Sequence, residues 1–353
     1  MLHKSTIRAG NNRWIHIKLI CFMSLTIICL IGSIFLAVAF GAKDIHLQTV
    51  WTAVFDYNPK LTQHQIIYEL RLPRVIGAAV VGAALAVAGA IMQGVTRNPL
   101  ADAGVLGINA GAMFVVALSF AFFPHMPYSY LMVVSFIGAV LSTVLIFIIG
   151  SATAGGLTPM RLTIAGAVMA ALLRSLSSGV AIYYDLSQDL AFWYAGGVAG
   201  LKWEHLKFLV PIIFITIVFT TVLGRSISLI SMGDDVATNL GVKTNRTRIL
   251  GMIIVVILAG VSVSAVGPIG FVGLVIPHMD RKIVGVNYRL IIPMSALLGA
   301  IVLILADLGA RTVNPPKELA IGIMVALIGV PFFLYIARKE GRGKIREQES
   351  KHR

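Results

Sequence analysis

Long uninterrupted apolar runs dominate this sequence and limit what it can fold into. Several of them extend over about 18 residues or more, and about 20 residues of helix cross the hydrocarbon core of a membrane. Only 12% of the 353 residues are charged, and the mean hydropathy is +0.89. Soluble domains carry about 25% charged residues. A chain with so little polar surface cannot face water on all sides, so we expect one integral membrane domain.

The apolar runs predict an all-α polytopic bundle of about ten transmembrane helices. The predicted spans are 19–40, 74–95, 104–123, 129–150, 160–184, 205–223, 247–266, 270–285, 289–309 and 319–337. The third and eighth are short and rich in glycine, and an amphipathic piece at 190–200 is too short to cross. The predicted domains are a basic cytoplasmic segment at 1–18, a transmembrane domain at 19–337 and a basic cytoplasmic tail at 338–353.

The distribution of basic residues predicts the orientation of the bundle. When the spans alternate from a cytoplasmic N-terminus, twenty of the 29 Lys and Arg residues fall on the cytoplasmic side and eight on the outer side. This is the positive-inside bias of membrane proteins. The net charge of +14 is therefore an orientation signal, and we expect both termini in the cytoplasm and no nucleic-acid partner.

Two arginines stand at the outer end of the second span, where the helix begins. Arg71 and Arg74 flank Pro73, which suits the first turn of a helix. The helix dipole favours acids rather than bases at this end. The pair therefore indicates a partner that carries carboxylates, which arginine binds through two parallel hydrogen bonds. The alternative is that both side chains simply reach out to the membrane interface.

The cytoplasmic segment 229–241 predicts a short helix between two spans. Glycines bracket it, two acids occupy its first turn, and two apolar residues four apart give it one apolar edge. The residues singled out are Gly233, Asp234, Asp235, Val236, Leu240 and Gly241. An exposed amphipathic helix of this kind indicates a docking partner. The alternative is a helix that lies against its own bundle or against the lipid interface.

A series of motifs in a fixed order resembles the permease family of iron-siderophore and cobalamin ABC importers, the FecCD type. The motifs are RLPR at 71–74, GAALAVAGA at 82–90, QGVTRNPLAD at 93–102, GPIGFVGLVIPH at 267–278, ADLGAR at 306–311 and GVPFF at 329–333. Each motif is weak alone, whereas their order and spacing together are specific. The likeness covers the chain from the second to the tenth predicted helix.

The resemblance implies a permease subunit that moves a ferric chelate across a bacterial cell membrane and is not itself an enzyme. Haem or cobalamin is the alternative cargo within the family. The implied partners are a second permease (an identical copy or a similar paralogue), two cytoplasmic ATP-binding subunits and an extracytoplasmic substrate-binding protein. The phosphate-cradling pattern G-x-x-x-x-G-K-[ST] is absent from the sequence. ATP would therefore be hydrolysed by a separate chain.

The resemblance also implies roles for particular residues. The outer residues that would pair with glutamates of the binding protein are Arg71, Arg74 and Arg311. The short helix at 229–241 would sit in a cleft of the ATPase. The residues that match the cytoplasmic gate before the fifth helix are Thr158, Pro159 and Met160.

Arg174 lies within the fifth predicted span. It stands about 14 residues into the helix, roughly 20 Å from the cytoplasmic end at 1.5 Å per residue. A charged side chain at this depth is costly in lipid, so it should face protein or a water-filled path. One hypothesis is that Arg174 faces the translocation path and favours an anionic ferric chelate. The other is a structural pairing with Asp307 or with helix carbonyls.

A secondary transporter and a membrane-embedded enzyme are the alternative classes of membrane protein. A secondary transporter would need ion-coupling carboxylates near the middle of the bilayer, and the predicted spans carry none there. A membrane-embedded enzyme would need a catalytic cluster, which the sequence does not show. We also expect no metal ligation and no cofactor, because His278 has no second histidine at ligand spacing.

Overall fold

The computed structural model describes residues 3–41, 45–151, 159–315, 317–334 and 338, and its regular elements are helices. The helices are α1 His3–Ala39, α2 Leu47–Phe55, α3 Thr62–Gln65, α4 Leu72–Thr96, α5 Ile108–Phe122, α6 Tyr128–Ser151, α7 Pro159–Tyr183, α8 Ser187–Ala195, α9 Trp203–Met232, α10 Asp234–Asn239, α11 Thr244–Val266, α12 Val272–Val284, α13 Tyr288–Thr312 and α14 Ile321–Leu334. A π-helical turn, Ile66–Arg71, joins α3 to α4.

Each of the ten predicted spans overlaps an α-helix of the described residues, and the all-α membrane bundle is confirmed. Seven helices within the described ranges are long and apolar enough to cross a membrane. They are Leu19–Ala39, Thr62–Thr96, Tyr128–Ser151, Arg161–Tyr183, Trp203–Met232, Thr244–Val266 and Tyr288–Thr312. The third and eighth predicted spans are short, as expected. They correspond to α5, with 15 residues, and α12, with 13.

Helix α4 forms the centre of the bundle, and nearly half of its residues are glycine or alanine. In its most apolar stretch 78% of the residues are buried, against 11% in α1. It packs against α9, α11, α12 and α13. Lipid tails are as apolar as the helices, so association depends on close packing rather than on escape from water. Alanine and glycine permit that packing, and α4 consequently faces protein along nearly its whole length.

Glycine is required where α4 crosses two neighbouring helices. A Cβ atom on Gly89 would collide with the backbone of Gly273 in α12, and one on Gly82 would collide with the backbone of Gly299 in α13. A side chain could rotate away from such a clash, whereas backbone atoms cannot. These two crossings therefore depend on the absence of a side chain and hold the three helices at close range.

The bounds of α9 differ from the prediction, and the short helix after it begins later. The apolar run predicted a helix over 205–223, but α9 continues to Met232 and ends at Gly233, whose φ is +137°. Neither Gly224 nor the polar residues after it interrupts the helix, and Gly224 lies against the backbone of Arg289. The predicted helix over 229–241 is therefore confined to Asp234–Asn239.

Short helices were predicted less well than the spans. The amphipathic piece expected at 190–200 lies instead at Ser187–Ala195 and ends at Gly196, whose φ is +66°. Helices α2 and α3 were not predicted at all. Each has fewer than ten residues, so neither contains the long apolar run by which a membrane helix is detected in sequence.

The two predicted terminal segments are described to different extents. The backbone of the basic N-terminal segment is helical from His3 and continuous with the first span. In the predicted C-terminal tail, 338–353, only Arg338 lies within the described residues. The domain boundaries at 18 and 338 stay predictions.

Replacing Gly89 by valine should prevent the close contact between α4 and α12. Since overpacking a well-packed core costs about 1–3 kcal/mol and the obstacle here is backbone, we expect the upper end of that range. Thermal unfolding of the detergent-purified protein measures the effect. Gly32→Val is the matched control, because a Cβ there meets no atom within 4 Å. Equal loss of stability in both variants would contradict the packing described.

Candidate functional site

The predicted outer arginines come together at one end of the bundle. Arg74 donates from Nη1 and Nη2 to the two carboxylate oxygens of Glu318, each at 2.9 Å. Its Nε donates to Asp307 Oδ1 at 3.0 Å, and its Nη2 lies 2.9 Å from the same oxygen. We define the outer arginine cluster as Arg71, Arg74, Arg311, Asp307 and Glu318.

Arg71 and Arg311 bind the carbonyl oxygens at the end of α1. Arg71 Nη1 donates to Val38 at 2.6 Å and to Ala39 at 2.8 Å, and Arg311 Nη2 donates to Ala37 at 3.0 Å. The last carbonyls of a helix lack partners within it and carry partial negative charge. Two guanidinium groups, one from the residue just before α4 and one from α13, therefore cap α1.

The two carboxylates of the cluster differ in exposure. Asp307 has 1% of its side chain exposed, and its Oδ2 lies 3.1 Å from Nε of Arg311. It therefore bridges two arginines inside the protein. The Glu318 side chain is 41% exposed, and the hydrogen bonds from Arg74 lower its pKa. The cluster thus has a buried carboxylate and a second one that solvent reaches.

A cavity of about 640 Å³ borders the outer arginine cluster. Its lining residues are Ile45, Thr62, Gln63, Ile66, Leu70, Arg71, Arg74, Ala199, Arg311 and Glu318. Arg71 is only 8% exposed and the Arg74 side chain only 13%, so the alternative that both reach out to the membrane interface does not describe them. The in-chain partner Glu318 was missed from the sequence, since 244 positions separate it from Arg74.

The short helix α10 has the caps that its sequence predicted. Its acids lie in the first turn, after Gly233. At its end Gly241 adopts a φ of +79°. The Gly241 amide donates to the Thr238 carbonyl and the Val242 amide to the Ala237 carbonyl, each at 2.9 Å. This pair of hydrogen bonds is a Schellman motif.

The side chains of α10 divide into a bound set and an exposed set. Asp234 accepts from Nη2 of Arg248 at 2.8 and 2.9 Å and from Nη2 of Arg97 at 3.2 Å. Asp235 is exposed, as are the apolar residues Val236, at 42%, and Leu240, at 63%. The edge of α10 that carries Asp234 is therefore bound to its own bundle, as the alternative expected. The edge that carries Val236 and Leu240 is exposed.

The predicted path and gate residues lie at or before α7. Arg174 is exposed on this helix. Asp307 pairs with Arg74 and Arg311 instead, so the structural pairing between Arg174 and Asp307 is not formed. Pro159 and Met160 are the first two residues of α7. Thr158 lies outside the described residues.

The C-terminal half of α4 carries a polar contact that was not predicted. Gln93 donates from Nε2 to the carbonyls of Gly273 and Leu274, at 3.1 and 3.3 Å, and accepts from Arg281 at 2.5 Å. One side chain therefore satisfies carbonyls near the beginning of α12 and a guanidinium on the same helix. The glutamine stands inside the QGVTRNPLAD motif, which was the available signal.

The described residues show no candidate metal site. No group of three or more His, Cys, Asp or Glu side chains among them is placed to hold a metal ion. The ring of His278 packs edge-on against Phe332, with centroids 5.9 Å apart. His278 thus contributes to the contact between α12 and α14.

A protein family and several known proteins match most of this chain. The model of the FecCD transport family matches residues 28–339. The chain is 48% identical over 325 residues to the iron(3+)-hydroxamate import system permease protein FhuB of Bacillus subtilis (strain 168), covering 92% of this chain and 84% of that protein. It is 36% identical over 309 residues to the ferric enterobactin transport system permease protein FepD of Escherichia coli (strain K12), covering 87% and 92%.

A solved structure shares the fold. The chain matches a metal-chelate type ABC transporter in an inward-facing conformation with a TM-score of 0.79 and 27% sequence identity. The match covers 90% of this chain and 99% of the other. The resemblance inferred from the ordered motifs is thus confirmed by sequence and by fold.

Replacing Asp307 by asparagine should destabilise the protein far more than replacing Glu318 by glutamine. The first change leaves buried arginines without their counter-charge, which costs about 3–5 kcal/mol. The second removes a half-exposed pair, worth about 0–1 kcal/mol. Thermal unfolding in detergent measures the difference.

Acidification should distinguish Glu318→Gln from the wild type. Because the pKa of Glu318 is lowered in the folded chain, its stabilising contribution is present at neutral pH and lost as the pH falls through that lowered value. Glu318→Gln should therefore lose less stability on acidification than the wild type. Equal destabilisation by the two substitutions at neutral pH would contradict the arrangement described.

Proposed function

This chain belongs to the FecCD transport family, and we propose that it is the membrane permease of a binding-protein-dependent ABC importer for ferric hydroxamates. The observation that carries the proposal is its 48% identity, across 92% of the chain, to a permease named for iron(3+)-hydroxamate import. The chain is a multi-pass membrane protein. Its proposed location is the bacterial cell membrane, with the basic termini in the cytoplasm.

We infer that α10 is the surface that binds a cytoplasmic ATP-binding subunit. Two such subunits would serve a pair of permeases, either two copies of this chain or one copy and a similar paralogue. Support comes from the exposed edge formed by Asp235, Val236 and Leu240, since apolar side chains that protrude into water at a helix tip suit a docking cleft. The chain itself would hydrolyse no ATP and require no cofactor.

We infer that the outer arginine cluster receives the substrate-binding protein. Arg74 is the residue best placed to do so, because its outer partner Glu318 is exposed and borders the cavity. A carboxylate from the binding protein could replace Glu318 on the same guanidinium edge with the same bidentate geometry. Asp307 would hold Arg74 in place during the exchange.

We infer that Arg174 lines the path, which the two permeases would share. The helix that carries it, α7, has only 17% of its most apolar stretch buried within this chain. Lipid would be a costly environment for the exposed guanidinium, whereas a water-filled path between two subunits would solvate it. Its positive charge would favour an anionic chelate.

Proteoliposomes that contain the permease pair, the ATPase and the binding protein should import a ferric hydroxamate only when ATP is supplied. Uptake of labelled iron measures this, with ferric citrate as the competing cargo, since relatives named for citrate import are 40% identical or less. Hydroxamate uptake should exceed citrate uptake. A preference for citrate would overturn the cargo, and ATP-independent uptake by this chain alone would overturn the mechanism.

In the same vesicles Arg174→Gln should lower uptake without lowering the amount of folded protein. The neutral side chain removes the attraction for an anionic chelate while it keeps a similar length. Uptake equal to the wild type, in vesicles that hold equal protein, would exclude the path role.

Arg74→Gln and Glu318→Gln should change docking of the binding protein in opposite directions. The first removes a charged partner and should weaken docking roughly tenfold or more. The second frees the outer edge of Arg74 and should strengthen docking several-fold. Affinity for the complex in nanodiscs measures both.

Glu204→Gln is the charge-matched control for these variants, since its side chain is 64% exposed and lies outside the cluster. It should leave the affinity within about twofold. Tighter docking by Glu204→Gln equal to that of Glu318→Gln would show a general charge effect rather than competition at Arg74.

A further inference from the structure

Three segments meet at one carboxylate on the predicted cytoplasmic side. Asp234 is the first residue of α10, Arg248 lies in the first turns of α11, and Arg97 follows the last residue of α4. Both guanidinium groups donate to Asp234, at 2.8 to 3.2 Å. The carboxylate therefore ties the short helix to the neighbouring helix and, across 137 positions, to the centre of the bundle.

The backbone at Arg97 is unusual for an arginine. Its φ is +54° and its ψ is +31°, in the left-handed region where glycine is the residue favoured at the end of a helix. Within the described residues only Asp185 and Phe271 are other non-glycine residues with positive φ. An arginine at this position ends α4 at a conformational cost, and its guanidinium supplies the contact with Asp234 that glycine could not make.

Helix α4 connects this contact with the opposite side of the protein. Arg74 and Arg97 are 23 residues apart, which corresponds to about 35 Å along a helix. Arg74 pairs with Asp307 and Glu318 at the outer end. Between the two arginines α4 is packed against backbone at Gly82 and Gly89. A displacement of its inner end must therefore move the helices that it touches.

We propose that Asp234 is a positioning residue that couples the movement of α10 to α4, whereas its neighbour Asp235 faces the ATPase. This rests on the proposed function, in which the ATPase moves α10. Through the contacts with Arg97 and Arg248, a displacement of α10 pulls on the inner ends of α4 and α11 together. Without Asp234, α10 could still bind the ATPase, while its movement would lose the direct contact with the end of α4 and would reach α4 only through α9 and α11.

The test is the number of substrate molecules imported per ATP hydrolysed, measured in proteoliposomes that hold the complete complex. Asp234→Asn should lower this ratio fivefold or more, and Arg97→Gln should lower it similarly. The double variant should be no worse than Asp234→Asn alone, because that change already removes the ion pair with Arg97. Asp234→Glu keeps the charge and should restore most of the ratio.

Asp235→Asn is the matched control, since it removes the same charge from the adjacent exposed position. It should lower hydrolysis and import together, so that the ratio stays within about twofold. The pairs made by Asp234 are partly exposed and contribute little to stability, so the asparagine variant should fold. The thermal midpoint of each variant checks this.

Two results would overturn the proposal. One is a wild-type ratio in Asp234→Asn, and the other is an equal fall of the ratio in Asp234→Asn and Asp235→Asn. Failure of the proposed function is distinguishable, because the wild-type complex would then show no ATP-dependent import at all.

Discussion

The close approach of the α4 backbone to its neighbours is the constraint on which the rest of the structure depends. Gly82 and Gly89 face glycines of α13 and α12, so main chain lies directly against main chain. In a membrane this contact replaces the hydrophobic drive that packs helices in water. It also means that α4, α12 and α13 cannot slide freely past one another, and they form the group against which other helices are placed.

Charge is found at the two ends of α4 rather than along it. At the outer end Arg74 is held by Asp307 and Glu318, and at the inner end Arg97 meets Asp234. An ion in the middle of the bilayer is costly, whereas at helix ends it reaches water or satisfies free carbonyls. The proposed docking surfaces therefore lie on the two faces of the membrane, with an uncharged helix between them.

The sequence predicted what depends on local pattern. Apolar length predicted the seven helices that are long enough to cross a membrane, and the glycine after α10 adopts the positive φ that its position indicated. Pairing across long separations leaves no periodicity, so neither the bond from Arg74 to Glu318 nor the bond from Arg97 to Asp234 could be predicted. The predicted end of α9 was wrong for another reason. Loss of hydropathy marks where a helix leaves the membrane, and the helix itself continues until a residue such as Gly233 stops it.

The capping of α1 by Arg71 and Arg311 has a consequence for how the protein is made. The carbonyls of Ala37, Val38 and Ala39 leave the ribosome early, but one of their donors is encoded more than 270 residues later. Until residue 311 has been synthesised, the Ala37 carbonyl lacks this donor, and water or lipid headgroups would take its place. The first helix to be inserted is thus completed late, and a nascent chain that stops short of residue 311 would have the end of α1 capped by Arg71 without Arg311.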